Sequence, residues 1–253
     1  MQKIIIIGSG NVAFHLAKQF LNATDFDLIG YHSPHGINKS SDFYPTCYLS
    51  SQDVFNETDC VFIVAVNDDQ VALAAKDLPA SKLVVHTSGS LPWQVLPDSM
   101  RRGVLYPLQT FSKNRVVQFD QVPLFVETEF SEDLPLLKSL AKELSPIQYE
   151  STFELRQHLH VAAVFSCNFV NHCYAIAQKL CKEQSLPFDI LRPLIEETAE
   201  KIKTLDPVQA QTGPAIRHDQ KTIDRHLSLI DNPQWQLIYQ EMSDSIQSLK
   251  FKV

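Results

Sequence analysis

Hydrophobic positions follow two rhythms along the chain. Up to about residue 150, short apolar runs alternate with helical patterns. The runs are "KIIIIG" (3–8), "FDLIGY" (26–31), "CVFIVAV" (60–66), "KLVVH" (82–86), "GVLYP" (103–107) and "VPLFVE" (122–127). They are continuous rather than alternating, as strands covered on both faces require. Their alternation with helical stretches predicts a parallel sheet built from right-handed strand–helix–strand units. Beyond about residue 150 no strand-like run occurs. Glycine-free patterns of helical character cover 153–184, 189–204 and 233–249, punctuated by Pro187, Pro193, Pro207, Pro214 and Pro233. Proline is tolerated near a helix start and not inside one. The expected organisation is an α/β domain over residues 1–150 followed by an all-helical domain over 151–253.

Composition narrows the partners. With 253 residues, 44% of them hydrophobic, the chain can bury one large core or two modest ones. Its net charge is -7, and residues 1–150 carry most of the acidity, with 11 Lys and Arg against 17 Asp and Glu. No run of Lys and Arg is present to neutralise successive phosphates, which argues against nucleic acid as a partner. The five cysteines are odd in number and form no CxxC, so reduced thiols of a cytoplasmic protein are expected. The apolar run in "MQKIIIIGSG" is shorter than the ~7–15 residues of a signal-peptide core, and the stretch from Val161 to Ala177 falls short of the ~20 that span a bilayer. No membrane association is expected.

The sharpest local signal is "IIIIGSGNVAFHLAKQF". Two of the seven glycines, Gly8 and Gly10, stand between an apolar run and an amphipathic helix, with Ala13 at the third position of a GxGxxA fingerprint. Gly8 permits the tight turn, Gly10 lets a pyrophosphate approach the backbone, and Ala13 allows close packing of helix on strand. Ser9, Asn11 and Val12 complete the turn, and the free N–H groups at the helix start would receive the phosphates. An NAD site places an acid at the end of the second strand. Here the strand runs into "GYHSPHGINKS", with His32, Ser33, His35 and Lys39 in place of any acid, which favours NADP over NAD. Ligands of such sheets gather at the carboxyl ends of strands. "VAVND" therefore brings Ala65, Val66 and Asn67 beside the cofactor, and "HTSGS" brings Thr87, Ser88 and Gly89 to its nicotinamide end.

"IIIIGSGNVA", "VFIVAVND" and "VVHTSGS" together resemble the N-terminal domain of pyrroline-5-carboxylate reductase-like proteins. "YPLQTF" (106–111), "RQHLHVAAVFSCNF" (156–169), "RPLIEET" (192–198) and "TGPAIRHDQKTIDRHL" (212–227) resemble a narrower group, the Rossmann-like NADP oxidoreductases with a helical C-terminal domain of unknown function. The resemblance implies a Rossmann-type parallel sheet domain. It also implies an all-α C-terminal domain like that of 6-phosphogluconate dehydrogenase, through which relatives often form homodimers. It implies no known reaction. The chain departs from that group twice. Tyr106 precedes Pro107 where the group often has His, passing any imidazole role there to a phenol. His218 lies between Arg217 and Asp219 where the group often has Gly.

The stretch "ELRQHLHVAAVFSCNFVNHCYAIAQKL" (154–180) sets polar groups in an otherwise apolar helix. Arg156, His160, Val164, Asn168 and His172 are spaced by four and would share one helix face, joined by Asn171. Burying such groups unpaired costs ~1–3 kcal/mol each, so the line is expected to border a cleft between the two domains. His160 would protonate or deprotonate the substrate, Asn168 would orient it, and Arg156 or Arg217 would clamp a carboxylate. The competing reading is a set of satisfied core groups. His158 stands two residues from His160, so the two do not face a common metal ion, and no metal is expected. β-Hydroxyacid dehydrogenases place a lysine four residues before the helix asparagine; Val164 stands there in this chain, which leaves imine reduction open beside carbonyl chemistry. "TGPAIRHD" would close over the cleft, or Asp219 would simply pair with an arginine. These features together point to an NADP-dependent oxidoreductase acting on a small carbonyl or imine. The alternative is a non-catalytic NADP-binding sensor or scaffold.

Overall fold

The computed structural model describes residues 1–33, 48–57 and 59–249. The chain forms two compact units, Met1–Cys167 and Asn168–Val253. In the first unit, β1 (Gln2–Ile7), α1 (Asn11–Phe20), β2 (Phe26–His32), α2 (Ser51–Asn56), β3 (Cys60–Val64), α3 (Val71–Ala75), β4 (Leu83–His86), β5 (Arg101–Pro107), β6 (Leu124–Thr128), α4 (Leu134–Leu144), β7 (Gln148–Glu150) and α5 (Phe153–Ala163) follow in order.

The strands make one seven-stranded sheet in the order β2-β1-β3-β4-β5-β6-β7. All neighbours pair in parallel except β5 and β6, which are antiparallel. That exception interrupts the parallel pattern expected from the alternation of runs and helices. Residues 108–123 between the two strands hold no α-helix, and the segment returns the chain alongside β5 in the opposite direction. β7 is a further element without an apolar run to announce it: Gln148, Tyr149 and Glu150 are held by pairing with Leu124, Phe125 and Val126 of β6.

The continuous apolar runs have a simple cause. In β1, Ile4 and Ile6 enter one core with Ala13, Leu16, Ala17 and Phe20 of α1 and Leu137, Leu140, Ala141 and Leu144 of α4. Ile5 and Ile7 enter the opposite core with Val54, Val71, Ala75, Leu96 and Met100. Successive side chains point to opposite faces, and both faces are covered from Ile4 to Ile7, so that stretch is continuously apolar while Gln2 and Lys3 sit at the partly exposed start of the strand.

The alternation also sets the switch in winding. From β1 the chain passes to β2 on one side and then returns to β3 on the other. The carboxyl ends of β1 to β4 come level there. Gly8 N–H donates to His32 O at 2.7 Å, Ala65 N–H to Ile7 O at 2.8 Å and Thr87 N–H to Val64 O at 3.2 Å.

The 153–184 helix is not uniform. Thr152 caps α5, its hydroxyl accepting from Leu155 N–H at 3.3 Å. The chain then passes through a π-helical stretch, Val164–Phe169, before α6 (Val170–Glu183). A π turn bonds residue i to i+5, so the spacing by four that joins Arg156 to His160 does not carry on to Asn168 and His172. The expected line of desolvated polar groups is therefore corrected: Arg156 is buried and His160 half-buried, whereas Asn168, Asn171 and His172 are exposed.

In the second unit α6 continues, followed by α7 (Arg192–Lys201), α8 (Gln220–Ser228) and α9 (Pro233–Ser248). Asp219 caps α8 through Thr222 N–H, and Asn232 caps α9 through Gln234 and Trp235 N–H, with Pro233 at the first turn where its missing donor costs nothing. Among the described residues no helix is long and apolar enough to cross a membrane.

Candidate functional site

The turn after β1 fixes the centre of the site. Gly8 has φ +132°, and a Cβ on it would lie 2.2 Å from the carbonyl oxygen of Ala65. No other residue fits both the angle and the space. Gly10 is constrained differently. Its φ is -76°, open to any residue, and nothing lies within 4 Å of a Cβ built there. The empty space above Gly10 belongs to a cavity of 520 Å³ lined by Gly8, Ser9, Gly10, Asn11, Val12, Ser33, Ala65, Val66, Asn67 and Thr87. Of the thirteen cofactor-contact residues expected from the sequence, the structure gathers these ten around one cavity, at the switch in strand order.

The cavity faces the start of α1. Gly10 caps that helix without a side chain, and no acid stands in its first turn. The helix N-terminus thus offers N–H groups and partial positive charge, unopposed, to whatever occupies the cavity. A pyrophosphate fits this arrangement: it needs bare backbone, open space and a positive dipole end. Ser9 and the buried Ser33 approach each other at 3.3 Å between their hydroxyls, closing the turn onto the end of β2.

His32 lies outside this cavity. Its Nδ1 donates to Leu49 O at 2.9 Å and its ring tilts against Tyr48. It lines a neighbouring cavity of 320 Å³ with Ser33, Tyr48, Leu73, Ala74 and Asp77. Ser33, Leu73 and Ala74 line both cavities. His35 and Lys39 fall outside the described residues.

The loop after β4 is braced by His86, which is fully buried. Its Nε2 donates to Pro92 O at 3.3 Å, and Ser88 N–H donates to its Nδ1 at 3.2 Å. Ser90 N–H donates to Ser88 Oγ, and Ser90 Oγ reaches Asp68. Ser88 is thereby engaged in the loop's own hydrogen bonds, while Thr87 lines the cavity. Burial pushes the His86 imidazole down to about 4, with the nearby Arg156 charge adding to the effect.

Gly89 serves a different purpose. A Cβ there would come within 2.6 Å of the Tyr106 ring. That ring belongs to β5 and carries its hydroxyl to 3.2 Å from His160 Nδ1. Four residues earlier in α5, Arg156 is fully enclosed, paired with Glu127 of β6 and donating to Leu91 O at 2.8 Å. Its guanidinium is therefore engaged inside the fold and is not the carboxylate clamp that the sequence had suggested as an alternative to Arg217.

The residues expected to act on substrate are placed unequally. His160 lies in the first unit, beside Tyr106. Asn168 and Arg217 belong to the second unit, and both are exposed. Asp219 is occupied as a helix cap, its charge favoured chiefly by the Thr222 hydroxyl and then by that residue's N–H, so its carboxyl titrates below the usual range. The cavity also contains residues that the sequence reading did not single out: Gln70, Leu73 and Ala74, and Gln109 and Phe111 after β5. Asn11 Nδ2 donates to Phe111 O at 2.9 Å, and His15 Nε2 to Ser112 O at 3.0 Å, fastening this segment to α1. The signal for it was the "YPLQTF" motif, which runs from the end of β5 into a loop fixed by its partners.

Residues 122–246 match the family described as a domain of unknown function, DUF2520. The chain is similar over 98% of both lengths to the "putative NADP oxidoreductase" of Bacteroides fragilis, with 37% identity and a TM-score of 0.84. Two more distant structures share the fold. One is a 1-pyrroline-5-carboxylate reductase from Streptococcus pyogenes, at 17% identity, 98% of each chain and a TM-score of 0.64. The other is an imine reductase from Myxococcus stipitatus in complex with NADP+, at 13% identity, 97% of this chain and 92% of that one, and a TM-score of 0.59. No curated protein matches the chain.

Two predictions separate binding from folding. Gly8→Ala is expected to lose at least about 2 kcal/mol of stability in a denaturant titration. Gly10→Ala is expected to cost less than Gly8→Ala, about 1 kcal/mol or under for a poorer helix N-cap, while weakening dinucleotide binding at least about tenfold in calorimetry, since its methyl group enters the cavity. A third concerns pH. In the unfolded chain an imidazole titrates near ~6.5. His86, held neutral in the fold, lends stability that is complete above that value and is lost as pH falls towards about 4. The loss is about 3 kcal/mol, and His86→Gln should flatten the acid limb of the stability curve.

Proposed function

The chain belongs to the Rossmann-like NADP oxidoreductase family, and from that premise we propose that it is an NADP-dependent oxidoreductase acting on a small carbonyl or imine. The observation that carries the reading is the open space over Gly10, set against the uncapped start of α1 at the carboxyl ends of the strands. A dinucleotide would be held by the backbone of Gly8 to Val12, with Ala65 to Asn67 and Thr87 along its length. The absence of an acid at the end of β2, where Ser33 stands, favours the 2′-phosphate of NADP over the bare ribose of NAD. The bound cofactor supplies the hydride chemistry. The chain's part is to position the substrate and manage charge at its reacting oxygen or nitrogen, which we assign to His160. The roles of Asn168 in orienting the substrate and Arg217 in holding an anionic group complete the assignment.

A cytoplasmic setting fits the free thiols of Cys60, Cys167, Cys173 and Cys181. A homodimer formed through the helical unit accounts for its exposed apolar side chains: Ile190 is 54% exposed, Leu194 64%, Leu229 70% and Leu237 54%, while its buried apolar residues, among those described, are Ala215, Ile223 and Ile230. The second reading, a non-catalytic NADP-binding protein, draws on the exposure of Asn168 and the valine at 164 in place of a lysine.

Thermal shifts with NADPH and NADH test the cofactor. NADPH is expected to raise the melting temperature, and to do so further than NADH at equal concentration; no shift with either removes the proposal. Oxidation of NADPH is then followed with a panel of small cyclic imines and carbonyls. His160→Ala should lower kcat on the order of a hundredfold, and an unaltered rate would move the chemistry elsewhere. Sedimentation velocity checks the assembly: a monomer at micromolar concentration would rule out the homodimer.

A further inference from the structure

Tyr106 and His160 meet inside the first unit, and their contact restricts what the imidazole can do. The phenol oxygen lies 3.2 Å from His160 Nδ1, with ring centroids 6.2 Å apart and planes crossing at 64°. The phenol is held on several sides. Its ring rests on the bare backbone of Gly89 and tilts against Phe125 at 6.3 Å. It shares a small apolar cluster with Val104, Trp93, Leu108 and Leu159. Only 8% of Tyr106 is exposed, and burial raises its pKa above the ordinary phenol value, so the hydroxyl keeps its hydrogen.

That hydrogen needs an acceptor. Among the described residues the only hydrogen-bond partner of Tyr106 Oη is His160 Nδ1. If Nδ1 carried the ring proton and donated to the phenol, the hydroxyl hydrogen of this largely buried residue would have no protein acceptor, which is unfavourable. With the phenol donating, Nδ1 is an acceptor and the proton of the neutral ring sits on Nε2.

We propose that Tyr106 is a positioning residue: its hydroxyl donates to Nδ1 of His160 and fixes the neutral imidazole as a hydrogen-bond donor through Nε2. The last step rests on the function proposed above. In that setting His160 recognises an accepting atom, a carbonyl oxygen or imine nitrogen, and is not a base poised to strip a proton from an alcohol. The oxidised form of the substrate is thus the form that the site is built to bind. The phenol takes over the place that the resemblance associates with an imidazole, and Gly89 provides the room for its larger ring.

Ring-nitrogen NMR on 15N-labelled full-length protein, above the pH range in which histidine titrates, tests this without substrate. The His160 signals are assigned by their loss in His160→Gln. In the unmodified protein the proton is expected on Nε2, with Nδ1 at the position of a hydrogen-bonded acceptor. Tyr106→Phe keeps the ring over Gly89 and removes only the hydroxyl. Its spectrum should show Nδ1 moved to the unbonded position, together with an Nδ1–H population absent from the parent, while the denaturant midpoint records that the fold is kept. A proton on Nδ1 in the unmodified protein, or identical His160 spectra in the two proteins, overturns the proposal. If Tyr106→Phe does not fold, the parent spectrum alone decides. NADPH binding measured on the same samples separates the two levels: failure to bind would sink the oxidoreductase reading and leave the tautomer result intact.

Discussion

The site depends on one close approach. Between β1 and α1 the backbone at Gly8 passes so near the Ala65 carbonyl that a single added carbon would overlap it. This approach lets the start of α1 sit directly over the level ends of β1 and β3. It positions the bare helix end, brings Ser9 to Ser33, and sets Ala65 and Val66 along the cavity wall. The two sheet cores supply most of the apolar burial, yet neither determines where a ligand goes. The turn does, because it is where the winding reverses and where unsatisfied N–H groups accumulate.

Much of the first unit was legible in the sequence because strand burial on both faces leaves a continuous apolar run. Each of the six runs corresponds to a strand. β7 escaped because it is held by pairing along β6 and by little burial of its own; Tyr149 and Glu150 are exposed. The antiparallel turn of β6 escaped for a related reason: strand direction is a property of the connection, and the segment from 108 to 123 has no periodicity to read. The glycine turn was legible at Gly8, where backbone angle and clearance together exclude any other residue.

The polar residues of the 154–180 stretch were harder to read. Counting by four assumes a uniform helix, and the π stretch at Val164–Phe169 ends that assumption at the first residue after α5. No residue type marks a π turn in advance. Arg156 shows the converse problem. Its charge suggested a ligand clamp, but Glu127, twenty-nine residues earlier, satisfies it inside the fold. Only a long-range contact distinguishes a guanidinium that waits for an anion from one that already has its own.

The enclosed Arg156 has a mechanical consequence for its neighbour. Gripped by a carboxylate on one strand and a carbonyl on a loop, it acts as a key in a keyway, and α5 cannot spin about its own axis. His160 stands one turn beyond that key. Its angular setting is therefore inherited over a rise of about 6 Å, a span too short for the twist and bend of a helix to accumulate. Aim is set locally here, and the remainder of the helix is free to vary in pitch without disturbing it.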